Sequence, residues 1–202
     1  MSKFEAIQKK LAEAFNNFEA VSQIELNPSP EICITDYKGQ SYIIVNIQLS
    51  ESQCLILDNK TEKTIDFDKA KIFKIINAQQ LGFIPIDGKT GLLGFGDSHC
   101  DFIFFDNQDF CFVEFKLNAT SDKKINKKRK EAVDQLGNTI NLFDQQLGND
   151  YKQLNLKAYV CSPDFYPRND AAWESFVNDF LENYGIDLFE TREKICQQVS
   201  EE

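Results

Sequence analysis

The sequence predicts a mixed α/β (α+β) chain, a mixed central sheet flanked by helices, with a β-rich N-terminal elaboration. Three observations carry that expectation. Segments rich in Phe and Ile, bounded by turn residues, recur along the chain, and such residues favour half-buried pleated strands. Three stretches, 4–21, 124–147 and 171–184, instead repeat apolar residues every three or four positions, the period of an amphipathic helix. A length of 202 residues suffices for one well-buried core, or one core with a small appended lobe.

Taken in order, Phe4, Ile7, Leu11, Phe15, Phe18 and Val21 mark the first helix, which Asn27-Pro28-Ser29-Pro30 follows as a breaker. Glu31–Thr35, Ser41–Leu49, Cys54–Leu57 and Lys63–Phe67 read as an antiparallel meander, with turns at Lys38-Gly39 and Asp58-Asn59. Residues 68–81 admit two readings, a helix capped by Asp68 or a strand carrying Ile72, Phe73, Ile75 and Ile76. A Gly- and Pro-containing connection runs on to about residue 98. Two strands with a tight turn follow, at about 101–105 and 110–117, then a long helix over 124–147 with Ile125, Ala132, Leu136, Ile140, Phe143 and Leu147 on one face. Leu154–Cys161 reads as a buried strand, Ala171–Tyr184 as a helix whose Trp173, Phe176 and Phe180 enter the core, and Ile186–Phe189 as a candidate short strand. The division expected is residues 1–67, helix and antiparallel strands, and 68–202, the core, within one compact unit.

Composition excludes several classes. No apolar run approaches the roughly 18 residues that span a bilayer, and the N-terminus mixes charge with apolar residues, unlike a signal peptide or anchor. Six scattered cysteines form no CxxC pair, which argues against a structural zinc site and a secreted disulfide scaffold. A cytoplasmic chain with reduced, buried thiols is the expectation. The net charge of −10 weighs against nucleic-acid binding, because duplex affinity normally comes from cations that neutralise phosphates. Distribution matters as much as the total, and Lys123, Lys124, Lys127, Lys128, Arg129 and Lys130 crowd into eight positions.

The chemistry sits in the stretch from Cys100 to Lys116. A turn with Asn107-Gln108 at its tip pairs Asp106 with Asp109 and, five residues further out on each arm, Asp101 with Glu114. Directly opposed residues share a face with Cβ atoms about 4.5–5.5 Å apart, and Lys116 shares that face because strand side chains alternate. Two carboxylates and an ammonium thus gather on a very apolar hairpin, where unpaired charge is costly. A divalent metal held by both carboxylates would compensate, with Lys116 orienting water or offsetting phosphate charge. The plainer alternative is a salt-bridge cluster on a solvated hairpin face.

Asp101, the apolar strand, Glu114-Phe115-Lys116 and a following helix with Gln135-Leu136 together resemble the PD-(D/E)xK (restriction-endonuclease-like) nuclease superfamily over about residues 95–161. The resemblance implies a restriction-endonuclease-like core, Mg²⁺ (Mn²⁺ as substitute) on Asp101 and Glu114, catalysis assisted by Lys116, and an auxiliary role for Gln135. It also implies a DNA-directed nuclease from a restriction, phage-defence or repair setting, with DNA as partner. Cys100 stands where the family has Pro, and an extra Glu that the family often takes from an earlier helix could be Glu5, Glu13 or Glu19. The basic cluster, Lys123 to Lys130, is a candidate phosphate-contacting surface. The competing function is an inactive nuclease-fold subunit or regulator that acts through a protein partner or a second copy, which the acidic balance favours; an enzyme on RNA or a nucleotide signal is a third.

Three further features carry less. Gly91-Leu92-Leu93-Gly94-Phe95-Gly96 lacks the Lys-Ser/Thr of a P-loop and reads as a flexible connection. Asp97 is a candidate supporting acid. His99 is the one histidine, so no multi-histidine metal site is available, and Ser98 beside it makes no triad.

Overall fold

The computed structural model describes residues 1–47, 52–58, 61–94, 98–117, 124–164, 166 and 170–196. They form a mixed α/β fold with two mixed sheets flanked by helices. The first sheet contains β1 (Gln23–Glu25), β7 (Leu81–Pro85), β8 (Phe102–Phe105), β9 (Asp109–Phe115), β10 (Asn155–Cys161) and β11 (Asp187–Glu190), neighbours in that order. Pairing is antiparallel from β1 through β9 and parallel from β9 through β11. The parallel half requires crossovers, and α3 (Ile125–Leu147) and α4 (Ala171–Tyr184) provide them.

The second sheet runs β12 (Glu193–Ile195), β6 (Ile72–Ile76), β2 (Glu31–Asp36), β3 (Ser41–Ile47), β4 (Gln53–Asp58), β5 (Thr61–Asp66). The expected meander supplies β2 to β5, and β6 and β12 extend it. Residues 68–81 therefore hold a strand. Asp68 does act as a cap, but only for a single 3-10 turn at Lys69–Lys71.

One face of the first sheet packs on helices and the other on the second sheet. Phe105, Phe110 and Phe112 meet Phe4, Leu136 and Phe143 on the helical side. Phe102, Phe104, Cys111 and Val113 meet Ile34, Phe73 and Ile75 on the other. Burial on both faces explains why β8 and β9 read as continuous apolar runs without alternation. The first helix, α1 (Lys3–Ala14), starts in a capping box between Ser2 and Glu5. It ends sooner than its apolar period suggests. Phe15 is extended and packs on Phe143 with ring centroids 5.1 Å apart, and a short helix α2 (Phe18–Val21) resumes after Asn17.

Two other expectations need correction. The segment 81–85, read as part of a connection, is a fully buried strand. Its Gly82 is required by packing: a Cβ there would lie 2.3 Å from the Phe105 ring. The boundary at residue 67 does not follow the layers either, because α1 packs against the core sheet while β6 and β12 join the meander. The six cysteines are free and buried, as expected. No helix among the described residues is long and apolar enough to cross a membrane.

Candidate active site

The site is built on the β8–β9 hairpin. Asp106 Oδ1 accepts the backbone N–H groups of Gln108 and Asp109, both at 2.7 Å, which fixes a two-residue tip. From that tip the strands pair Phe105 with Phe110 and, three steps on, Phe102 with Val113. Asp101 lies just beyond the paired residues and leaves their register: its N–H donates to the Val113 carbonyl at 3.0 Å, one residue short of the Glu114 that an unbroken ladder would set opposite it. The strict cross-strand pairing that the turn predicts is therefore not kept, yet the Asp101 and Glu114 side chains do meet, each acting on the other's titration. The Phe115 N–H donates to Asp101 Oδ2 at 2.5 Å and holds that carboxylate in place.

Lys116 joins them. Its Nζ donates to Glu114 Oε1 and, at 2.5 Å, to Gln135 Oε1. Its backbone N–H donates to the Cys161 carbonyl at 2.8 Å, which pins the end of β9 to β10. Gln135 is oriented in turn by donating Nε2 to the His99 carbonyl at 2.9 Å. Two more α3 side chains grip the segment leading into Asp101. Thr139 Oγ1 accepts the Cys100 N–H at 2.8 Å, and Asn138 Nδ2 donates to the Ser98 carbonyl at 3.1 Å. The helix therefore fixes both the segment carrying Asp101 and the ammonium that faces Glu114.

Burial governs the electrostatics. Glu114 is 2% exposed, and desolvation, followed by the charge of Asp101, pushes its carboxyl well above the usual range; Lys116 opposes this without offsetting it. Desolvation also pushes Asp101 up to about 6, against the Phe115 N–H. Two carboxyl groups in such a place resist ionising together. The two carboxyl groups are in side-chain contact, which they can make only by sharing a proton; apart from that contact Glu114 Oε2 is buried and meets no donor, at a cost to folding.

Asp36 is the residue that sequence reasoning missed. It ends β2 in the second sheet, and its charge adds to the upward shift of Asp101. It lines a cavity together with Asp101 and Phe115. No spacing in the chain links it to Asp101; only the stacking of the two sheets does. The helix acids considered earlier act elsewhere. Glu5 closes its own capping box, Glu13 pairs with Lys9 and Lys10, and Glu19 borders a different cavity. Among the described residues no three His, Cys, Asp or Glu side chains gather closely enough to hold a metal, so the candidate ligands are the pair Asp101 and Glu114.

The basic cluster divides. Lys123 and Asp97, and with Asp97 the end of the Gly-rich stretch, lie outside the described residues. Lys124, Lys127 and Lys130 are exposed, and Lys128 is half-buried. Lys127 and Lys128 pair with Glu131 at 3.9 and 2.5 Å, and Lys130 reaches Asp134 at 4.0 Å. Glu131 also feels the charge of Lys116, which sets this end of α3 beside the site.

Arg129 is a correction. It is 1% exposed, and its guanidinium bonds Glu190 through Nε and Nη2 at 3.0 and 2.6 Å and Asp170 through Nη1 at 2.7 Å. Trp173 and Tyr166 cover it at 5.2 and 5.8 Å. It locks α3 to β11 and the start of α4, and no phosphate can reach it. His99 is buried as well, with Nδ1 unpartnered. Trp173 and Phe180 are core, with Phe176 packed against them.

No family model, no curated protein and no solved structure matches this chain. Its chemistry is therefore argued from the site alone. A buried acid pair with one unsatisfied oxygen, faced by a fixed ammonium, can bind a hard cation and bring a phosphate oxygen beside Lys116.

Proposed function

We propose that this chain is a divalent-metal-dependent nuclease that hydrolyses phosphodiester bonds, with DNA as its substrate, in line with the PD-(D/E)xK resemblance. The observation that carries the reading is the buried Glu114 Oε2, which meets no donor side chain and lies beside the Asp101 carboxyl, with Lys116 and Gln135 next to it. A solvated salt-bridge cluster has no reason to bury an acceptor without a donor. A hard cation fits the oxygen pair and would relieve both the missing partner and the repulsion between the two carboxylates.

Asp101 and Glu114 would hold Mg²⁺, with Mn²⁺ as substitute. Such an ion, when bound, acidifies a coordinated water and offsets negative charge on a phosphate. The Phe115 N–H keeps the Asp101 carboxylate oriented. Lys116, steered by Gln135, presents a positive charge to the scissile phosphate without further reorganisation. The exposed Lys124, Lys127 and Lys130 at the start of α3 would contact flanking phosphates.

The net charge of −10 and the loss of Arg129 from the available cations favour a second reading, a nuclease-fold subunit that acts through a protein partner. Incubation of plasmid, single-stranded DNA and RNA side by side with Mg²⁺ separates the two. The nuclease reading expects cleavage that Asp101→Asn abolishes and Lys116→Ala lowers on the order of a hundredfold. Cleavage that survives in Asp101→Asn would overturn it, and no cleavage by well-folded protein would favour the regulator.

A further inference from the structure

The cavity beside Asp101 has a chemistry of its own. It is a half-open cleft of about 410 Å³, within the range of small-molecule sites. One wall is Asp101 with Phe115 and Leu117, at the end of the β8–β9 hairpin; the other comes from the connections of the second sheet, Tyr37 and Lys38 between β2 and β3 and Phe67 and Lys71 after β5. Three aromatic rings and two ammonium groups therefore border the same cleft as the candidate metal ligand. Acids outnumber bases along the lining by four to two, so a phosphate is disfavoured inside it. A neutral base is not: carboxylates such as Asp36 can accept from its N–H groups, and aromatic side chains offer stacking surfaces of no sequence preference.

We infer that this cavity is a subsite for one unpaired nucleobase, and that the second sheet makes the enzyme selective for single strands or for duplexes with an extruded base. The inference rests on the nuclease reading and deepens it. A base held in a duplex stack cannot reach into a cleft of this size between the two sheets. A base swung out of the stack can, and its own phosphate would then lie at the edge of the acidic lining, on the side of Lys116. The cations at the rim would serve that backbone. Lys38 already lies 5.2 Å above the Tyr37 ring.

The test is binding, measured by fluorescence anisotropy with Ca²⁺ present, so that it does not depend on turnover. The probes are a short labelled oligodeoxyadenylate, an all-abasic backbone of equal length and a blunt hairpin duplex. The oligodeoxyadenylate should bind tightest. Tyr37→Leu and Phe67→Leu, which retain apolar bulk and are checked for unaltered unfolding, should each weaken it roughly tenfold, the loss of one base–aromatic stack. Neither should change duplex affinity. Equal binding of the abasic backbone, or no effect of both variants, overturns the inference. Metal-dependent cleavage of blunt duplex that ignores Tyr37→Leu would overturn the subsite and leave the nuclease reading standing; failure to bind or cleave any nucleic acid would overturn both.

Discussion

Arg129→Met offers the sharpest check on how α3 is held beside the site. Its guanidinium side chain is 0% exposed, facing Glu190 at 2% and Asp170 at 30%. Met retains much of the stem but takes the guanidinium away from the buried Glu190, which also accepts from the Ser162 hydroxyl at 2.5 Å. Breaking a buried pair from one side costs about 3–5 kcal/mol. For a chain of this length that corresponds to a fall in melting temperature of about 6–20 °C. Urea unfolding at constant m-value measures the loss. Glu190→Leu added to Arg129→Met should recover part of it, because the second change removes the stranded charge, so the double mutant should be more stable than additivity predicts. A loss below about 1 kcal/mol, or strict additivity, would show that the node carries no weight. A selective fall in nucleic-acid affinity in a fully stable Arg129→Met protein would restore the phosphate-contact role that burial removes.

Three other outcomes follow from the geometry. Gly82→Ala should destabilise by about 1–3 kcal/mol, since its methyl meets the Phe105 ring; a neutral effect in a denaturant titration would mean that β7 packs differently. Asp109 is buried, which raises its pKa, yet Lys157 at 2.8 Å and Lys194 at 2.6 Å outweigh burial and hold it below the usual carboxylate range. A depressed folded-state pKa contributes stability above the unfolded value of about 3.9 and loses it as pH falls through the folded one. Asp109→Asn should therefore be less stable than wild type at pH 7, with the difference shrinking below about pH 4; a constant difference across that window would refute the ion cluster. Replacing Lys124, Lys127, Lys128 and Lys130 with Gln should lower the salt slope of DNA binding by up to about 0.9 per lost contact, and an unchanged slope would make them a solvated face paired only with Glu131 and Asp134.

Much of the site was legible because it is local. The Asp106–Asp109 turn sets the hairpin register as far as Phe102 and Val113, and alternation then puts Glu114 and Lys116 on one face; Asp101 meets Glu114 although its own bond to Val113 leaves that register. Gln135 came from the family resemblance rather than from periodicity. Arg129 was misread although the signal was present: with Ile125, Ala132 and Leu136 it keeps the helical period of the buried stripe, and grouping it with its basic neighbours in the chain hid that. The strand 81–85 was obscured by Gly82 and Pro85, which punctuate chains elsewhere but here serve a close ring contact and the strand end. Asp36 was beyond reach, since its nearness to Asp101 depends on how two sheets stack, and no periodicity encodes that.

Whether Asp101 and Glu114 together hold a divalent cation is read from uptake of Mn²⁺, followed by the fall of its free-ion electron paramagnetic resonance signal. Wild-type protein should take up the ion at a site for which Mg²⁺ competes, while Asp101→Asn and Glu114→Gln, still folded, should each lose it. Lys116→Ala should retain it, because the ammonium faces the pair without serving as a ligand. Equal uptake by wild type and both carboxylate variants would contradict the account.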